Sequence, residues 1–144
     1  MDLLLQIKRP ADLENLTQFI ESVSACARAQ GFGQKRLSQI EVALEEALVN
    51  IVHYSYPDKR GDAEVVCRLD DKNRLVIEIM DRGVPFNILS LDEPDLISGI
   101  SERKVGGYGV FIIRKLMDKV KYRYEDNKNI LTLIVNKDSL DDQA

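Results

Sequence analysis

The stretch at 40–56, IEVALEEALVNIVHYSY, constrains this chain more than any other. Set out at about 100° per residue, Ile40, Ala43, Leu44, Ala47, Leu48, Ile51 and Val52 fall on one broad apolar stripe, which predicts a helix buried in the core. Its polar residues divide between the two edges of that stripe. Glu41 and Glu45 lie on one edge, while Glu46 and Asn50 lie past the other, among Val42, Ala43, Ala47 and Val49. A carboxylate and an amide one turn apart in such surroundings need a buried network, water, a metal or a ligand, because leaving them unpaired costs several kcal/mol.

The rest of the composition narrows the setting. With 144 residues, 44% hydrophobic and 31% charged, the chain has the size and balance of a single domain over 1–144 with its own core, and a disordered or low-complexity chain is excluded. A net charge of -4, a pI near 5.1 and the lack of any basic stretch interleaved with aromatics argue against nucleic acid as a partner. Cys26 and Cys67 stand apart in apolar settings, so the expectation is two isolated buried thiols in a reducing, cytoplasmic compartment. No apolar run approaches the roughly 20 residues that span a bilayer, and no signal-peptide pattern opens the chain, so no membrane association is expected. His53 is the only histidine, which excludes His clusters and Ser-His-Asp triads and leaves it to pack or cap near the helix end.

Taken in order, 2–9 reads as a short strand ended by Pro10, and Leu13, Leu16, Phe19, Ile20, Val23 and Ala27 follow helical spacing over 11–30, with Gly31 placed as a C-cap. The central helix begins near Gln34 and stops before Pro57, where YPDKRGD at 56–62 forms a turn. Alternation over 63–69 and 74–80 around DDKN predicts a hairpin, one face of which is solvated or lined by ligand. DRGVPFN follows at 81–87, and a stretch of mixed polarity over about 88–106 reads as a lid, since so long a loop inside a compact domain is usually functional. GGYG at 106–109 opens a third helix over 110–117, 121–124 and 130–135 form a closing hairpin around EDNKN, and 138–144 is an acidic tail. Hairpin-paired strands with three helices between them predict an α+β two-layer sandwich, a mixed and mostly antiparallel sheet with helices on one face. The βαβ alternation of a doubly wound fold and the GxxxxGK[ST] phosphate loop are both missing.

Three constellations invite chemistry. Glu46 with Asn50 can place a base and an amide oxygen on one helix face, the amide helping to hold Mg²⁺ against phosphate oxygens and the carboxylate taking a proton; equally, the two can be a satisfied buried pair. Asp81 with Gly83 offers an acceptor for an exocyclic amine such as adenine's, beside backbone that a flat ring can approach, or an ordinary Asp-Gly turn. Gly106, Gly107 and Gly109 can present free N–H groups and a positive dipole end to phosphates, or act as a hinge. Arg103 or Lys104, just before those glycines, can reach a γ-phosphate or remain solvated.

In this order and spacing, EEALVN, DRGVPF and GGYGVFIIRKLMD resemble the N, G1 and G2 boxes of the GHKL ATPase superfamily, which includes DNA gyrase, histidine kinases and a heat-shock chaperone. Within it, the chain is most similar to anti-sigma-factor serine kinases of the RsbW and SpoIIAB type, over nearly its whole length. The resemblance implies a Bergerat sandwich with ATP and Mg²⁺ as cofactors. It implies Glu46 as catalytic base, Asn50 as magnesium ligand, Asp81 with Gly83 at adenine, Gly107 and Gly109 at the phosphates and Arg103 at the γ-phosphate. Glu41 and Glu45 are then solvated bystanders. Two stretches depart from the family pattern: IVHYSYP after Asn50, and the lid start NILSLDEPDL, which has no obvious second acid at a fixed place.

By that resemblance the protein is expected to be an Mg-ATP-dependent anti-sigma factor and protein serine kinase. It would sequester a sigma factor and phosphorylate a serine of a STAS-domain anti-sigma-factor antagonist, with a homodimer left open. Two alternatives stand beside this: a non-catalytic ATP-binding module that switches protein partners, and a histidine-kinase-type catalytic domain acting in trans.

Overall fold

A computed structural model describes residues 2–58, 60–90 and 107–137. Strand β1 (Asp2–Pro10) leads into helices α1 (Leu16–Ala29) and α2 (Gln34–Asn50), and α2 widens at its end into a π-helical turn, Ile51–Ser55. Strands β2 (Asp62–Leu69) and β3 (Leu75–Asp81), a 3-10 turn (Ile88–Ser90), helix α3 (Gly107–Leu116) and strands β4 (Lys119–Glu125) and β5 (Lys128–Val135) follow. Each element expected from the sequence is present. Helix α1 starts later than the spacing suggests, because 11–15 is a turn in which Asp12 Oδ1 accepts the Asn15 N–H at 3.0 Å. Beyond the 3-10 turn at its start, the expected lid lies outside the described residues, as does the acidic tail.

The five strands run in the order β1-β2-β3-β5-β4, and every pairing is antiparallel. Two helices between β1 and β2 reverse the chain an extra time, so those neighbours oppose each other. The single helix α3 leaves β3 and β4 pointing the same way, but β5 inserts between them. The one relation that would have made the sheet mixed is therefore not hydrogen-bonded. Asp126 and Asn127 join β4 to β5 with φ of 53° and 62°, the left-handed pair that matches the twist of a tight hairpin.

The helices cover one face. Ala63, Val65 and Cys67 of β2, Leu75, Ile77 and Ile79 of β3, and Leu131, Leu133 and Val135 of β5 alternate inward. They meet Phe19, Val23 and Ala27 of α1 and Ile40, Ala43, Leu44, Ala47 and Leu48 of α2, so the stripe read from the sequence is the core. Val52 is only partly buried and His53 is exposed, because the wider π-helical turn rotates the stripe and brings Ser55 inward instead. On the opposite face Val66, Val76, Ile130 and Ile134 are buried as well. Arg68 and Arg123 reach across it to Glu78, each at 3.4 Å, so the face expected to be solvated or ligand-lined is roofed by the stems of its own charged side chains.

Both cysteines are free, Cys67 buried and Cys26 half-buried, but they are not isolated. Helix α1 lies over β2 and the two thiols are in hydrogen-bond contact. Arg36, in the first turn of α2, is 4% exposed. It pairs with Asp118, just after α3, and donates to the carbonyls of Leu116 at 2.8 Å and Asn136 at 2.9 Å, tying the start of α2 to the ends of α3 and β5. Asp118→Ala strands this guanidinium and is expected to cost about 3 kcal/mol in urea unfolding. A loss below about 1 kcal/mol would mean that the guanidinium is rehydrated instead.

Candidate functional site

With its apolar stripe on the sheet, α2 turns one polar edge toward α3. Glu46 is half-buried there and Asn50 is 3% exposed. The Asn50 amide nitrogen donates to the Glu46 carbonyl at 2.7 Å. A carbonyl oxygen only accepts, so this bond fixes which end of the amide is which. The remaining Oδ1 is buried and has no hydrogen-bond partner among the described residues. Native proteins rarely leave such an oxygen unmet, so among the described residues Glu46 and Asn50 do not make a fully satisfied pair.

Helix α3 closes over the same spot. A Cβ on Gly109 would stand 2.8 Å from Glu46 Oε2 and 3.0 Å from Asn50 Nδ2, so the crossing tolerates no side chain without displacing them. Gly107 begins α3, so the positive end of that helix lies within a turn of the contact between Gly109 and Asn50. Burial pushes the Glu46 carboxyl above its ordinary range, and the neighbouring Glu45 adds a smaller push in the same direction. Glu45 is exposed, as expected. Glu41 is not a solvated bystander: it is half-buried and accepts the Ser24 hydroxyl at 2.7 Å.

The other half of the site is the end of a strand ladder. Strands β3 and β5 align Leu75 with Val135, Ile77 with Leu133, Ile79 with Leu131 and then Asp81 with Asn129, so an apolar row ends in one polar rung. Asn129 Nδ2 donates to Asp81 Oδ1 and to the Val84 carbonyl, both at 2.9 Å. Its Oδ1 accepts the Phe86 N–H at 2.9 Å and the Tyr122 hydroxyl at 2.5 Å. The Gly83 N–H also donates to Asp81 Oδ1, at 2.9 Å. The Asp-Gly turn expected from the sequence is therefore present, closed by Oδ1. Burial raises the Asp81 pKa, and hydrogen bonds from Asn129, Gly83 and Ser55 partly offset it.

The two halves are joined at the end of α2. The Ser55 carbonyl accepts the Val84 N–H at 2.8 Å, and a Cβ on Gly83 would collide with that carbonyl. The Tyr56 hydroxyl accepts the Arg82 N–H at 2.9 Å and donates to the Asp62 carbonyl at 2.8 Å. Asn50, Ser55, Asp81, Tyr122 and Asn129 consequently line one cleft with Ala47, Ile51, Ile79, Phe86, Ile88 and Leu131. Its volume of about 30 Å³ admits a water or two. Phe86 is held by stacking on Tyr54, with centroids 4.5 Å apart.

The structure thus brings Glu46, Asn50 and Gly109 together, and Asp81 and Gly83 together, with one cleft between the groups. Arg103, Lys104 and Gly106 lie outside the described residues. Sequence reasoning missed Asn129, Ser55 and Tyr122. For Asn129 the signal is its parity: it shares the inward row of Leu131, Leu133 and Val135, although EDNKN by composition reads as a turn.

The sequence pattern of the histidine kinase-like ATPase domain matches residues 9–135. The chain belongs to that family. It is 26% identical over 131 residues to serine-protein kinase RsbW from Bacillus thuringiensis (strain Al Hakam) and to that from Bacillus anthracis, covering 88% of this chain and 81% of each relative. In fold it is similar to the crystal structure of the RsbU and RsbW domains of a Mycobacterium tuberculosis protein, with a TM-score of 0.66 and 15% identity over 92% of this chain and 32% of that one. It is also similar to the histidine kinase domain of the Erythrobacter litoralis EL346 blue-light activated histidine kinase, with a TM-score of 0.54 and 14% identity over 83% of this chain and 60% of that one. The resemblance drawn from the three boxes holds, and with it the two-layer α+β sandwich and the kinase-like ATPase class of enzyme. No helix among the described residues is long and apolar enough to cross a membrane.

Because burial raises the Asp81 pKa, the folded protein holds that proton more tightly than the unfolded chain. The resulting stabilisation is complete below the unfolded-state pKa and is lost as pH rises through the folded-state value. Asp81→Asn is expected to be at least as stable as the parent near pH 7, with the gap closing toward about pH 4, in urea titrations. An Asn variant less stable near pH 7 would show that the ionised carboxylate supports the fold.

Proposed function

We propose that the protein is a cytoplasmic, Mg²⁺- and ATP-dependent protein serine kinase that also acts as an anti-sigma factor, with 1–144 working as one ATP-binding unit. It holds a sigma factor and phosphorylates a serine of a STAS-domain antagonist. The observation that carries the reading is the unmet Asn50 Oδ1, buried one turn from Glu46 in the same cleft as Asp81. The names of the RsbW relatives support a serine as acceptor. The sigma factor and the STAS-domain antagonist follow from the resemblance to anti-sigma-factor kinases.

The donor set fits a hard cation. No group of three or more His, Cys, Asp or Glu among the described residues is placed to hold a metal, which suits an ion that keeps its waters and takes few protein ligands, as Mg²⁺ does. Asn50 would hold it. When bound, Mg²⁺ would offset the charge of the phosphates. Asp81 Oδ2 would accept the exocyclic amine of adenine, and Gly83 would let the ring lie close to the backbone. The N–H groups of Gly107 and Gly109 at the start of α3 would receive phosphate oxygens, and Arg103 would meet the γ-phosphate. Glu46, whose half-buried carboxyl already holds protons more readily than an exposed one, would take the proton of the serine hydroxyl as its oxygen attacks.

The test is incubation with γ-labelled ATP and STAS-domain proteins from the same genome. Glu46→Ala is expected to reduce transfer by about 100-fold or more while calorimetric ATP binding persists. Glu45→Ala is expected to stay within about twofold of the parent. Partner control that survives in Glu46→Ala, with no turnover in the parent, would favour a non-catalytic module; acid-labile phosphate in the product would favour a histidine kinase.

A further inference from the structure

Helix α1 turns Phe19, Val23 and Ala27 onto the sheet, and Cys26 lies on the border of that stripe, packed against the core. Beneath it, Cys67 rises from the inward row of β2 with none of its surface exposed. The two thiols touch across the layer boundary and both are free. Only Cys26 has access to solvent, being half-buried. Burial and the contact with Cys26 push the Cys67 thiol up. Access assigns the roles: a small oxidant reaches the half-buried Cys26, and the buried Cys67 waits beside it.

We propose that Cys26 and Cys67 form a peroxide-sensitive site that closes to an intramolecular disulfide between α1 and β2. The Cys26 thiolate attacks one peroxide oxygen; a sulfur–oxygen bond forms, the oxygen–oxygen bond breaks, and the departing hydroxide takes up a proton as water. Cys26 is then a sulfenic acid. The Cys67 sulfur attacks the Cys26 sulfur, the sulfur–oxygen bond breaks, and hydroxide leaves with the Cys67 proton as a second water. The sulfur pair loses two electrons and one peroxide becomes two waters. Because Cys67 is already in contact and shielded, it outcompetes a second peroxide for the sulfenic acid. Ser24, two positions before Cys26, donates to Glu41, so the bond would brace the helix that carries Glu46 and Asn50.

The native full-length protein is treated with hydrogen peroxide, denatured, and reacted with a maleimide. The expected result is no reactive thiol, an intact mass lower by about 2 Da, and a rise in Tm, all reversed by dithiothreitol. Cys67→Ser should instead stop at a Cys26 sulfenic acid that dimedone traps, and Cys26→Ser should keep its one thiol. Treatment in urea, where the two residues separate, should leave both thiols in the parent reactive at the same peroxide dose. Two reactive thiols after native treatment, a mass gain from added oxygen in the parent, or a disulfide-linked dimer would overturn the proposal.

Discussion

An amphipathic helix laid on a sheet can turn only one stripe inward, and in α2 that stripe is taken up by Ile40, Ala43, Leu44, Ala47 and Leu48. The remaining positions are then assigned by rotation about the axis. Glu41 faces α1 and is tied to Ser24, Glu45 faces solvent, and Glu46 and Asn50 face α3. No local preference of Asn50 asks for burial. It is buried because its neighbours are, and while its amide nitrogen is committed to the Glu46 carbonyl, its Oδ1 meets no donor among the described residues. The chemistry proposed for this edge is a consequence of how the core packs.

The strand end follows the same logic with a period of two. Parity along β3 and β5 places Asp81 and Asn129 in the row that carries Ile79 and Leu131, so the sheet buries a carboxylate and an amide as readily as it buries isoleucine and leucine. Asn129 spends all four of its hydrogen-bonding positions on holding Asp81, the Val84 carbonyl, the Phe86 N–H and the Tyr122 hydroxyl. Rigidity there comes from one side chain. The unfavourable burial of Asp81 and the Asn50 oxygen left without a partner among the described residues both cost stability.

Features set by short-range periodicity were legible in the sequence: the apolar stripe of α2, the hairpin alternation, the Gly31 cap and the glycine-rich start of α3. The roles proposed for Glu46, Asn50 and Asp81 were legible only as alternatives from the residues themselves, and their choice rests on the resemblance carried by the three boxes. What escaped was set by contacts between distant parts of the chain. The Arg36 pair with Asp118, the meeting of Cys26 with Cys67, the grip of Asn129 on Asp81 and the seating of Glu41 against Ser24 each join different elements, and no spacing rule within one element reports them. The insertion of β5 between β3 and β4 escaped for the same reason, and it is what makes the sheet antiparallel at every pairing.

That insertion also sets a timetable for the molecule as it is made. While a ribosome has delivered the chain only as far as β4, the inner edge of β3 has no neighbour, Asp81 has no Asn129, and the loop at 82–86 lacks the side chain that gathers its carbonyl and N–H groups. Pairing β3 with β5 joins residues far apart in sequence, the slow kind of contact. A ligand of the kind proposed for this cleft would therefore have no finished cleft to enter and could not template the earlier strands. Occupancy of the cleft reports that the last strand, Lys128–Val135, has been synthesised and threaded into place.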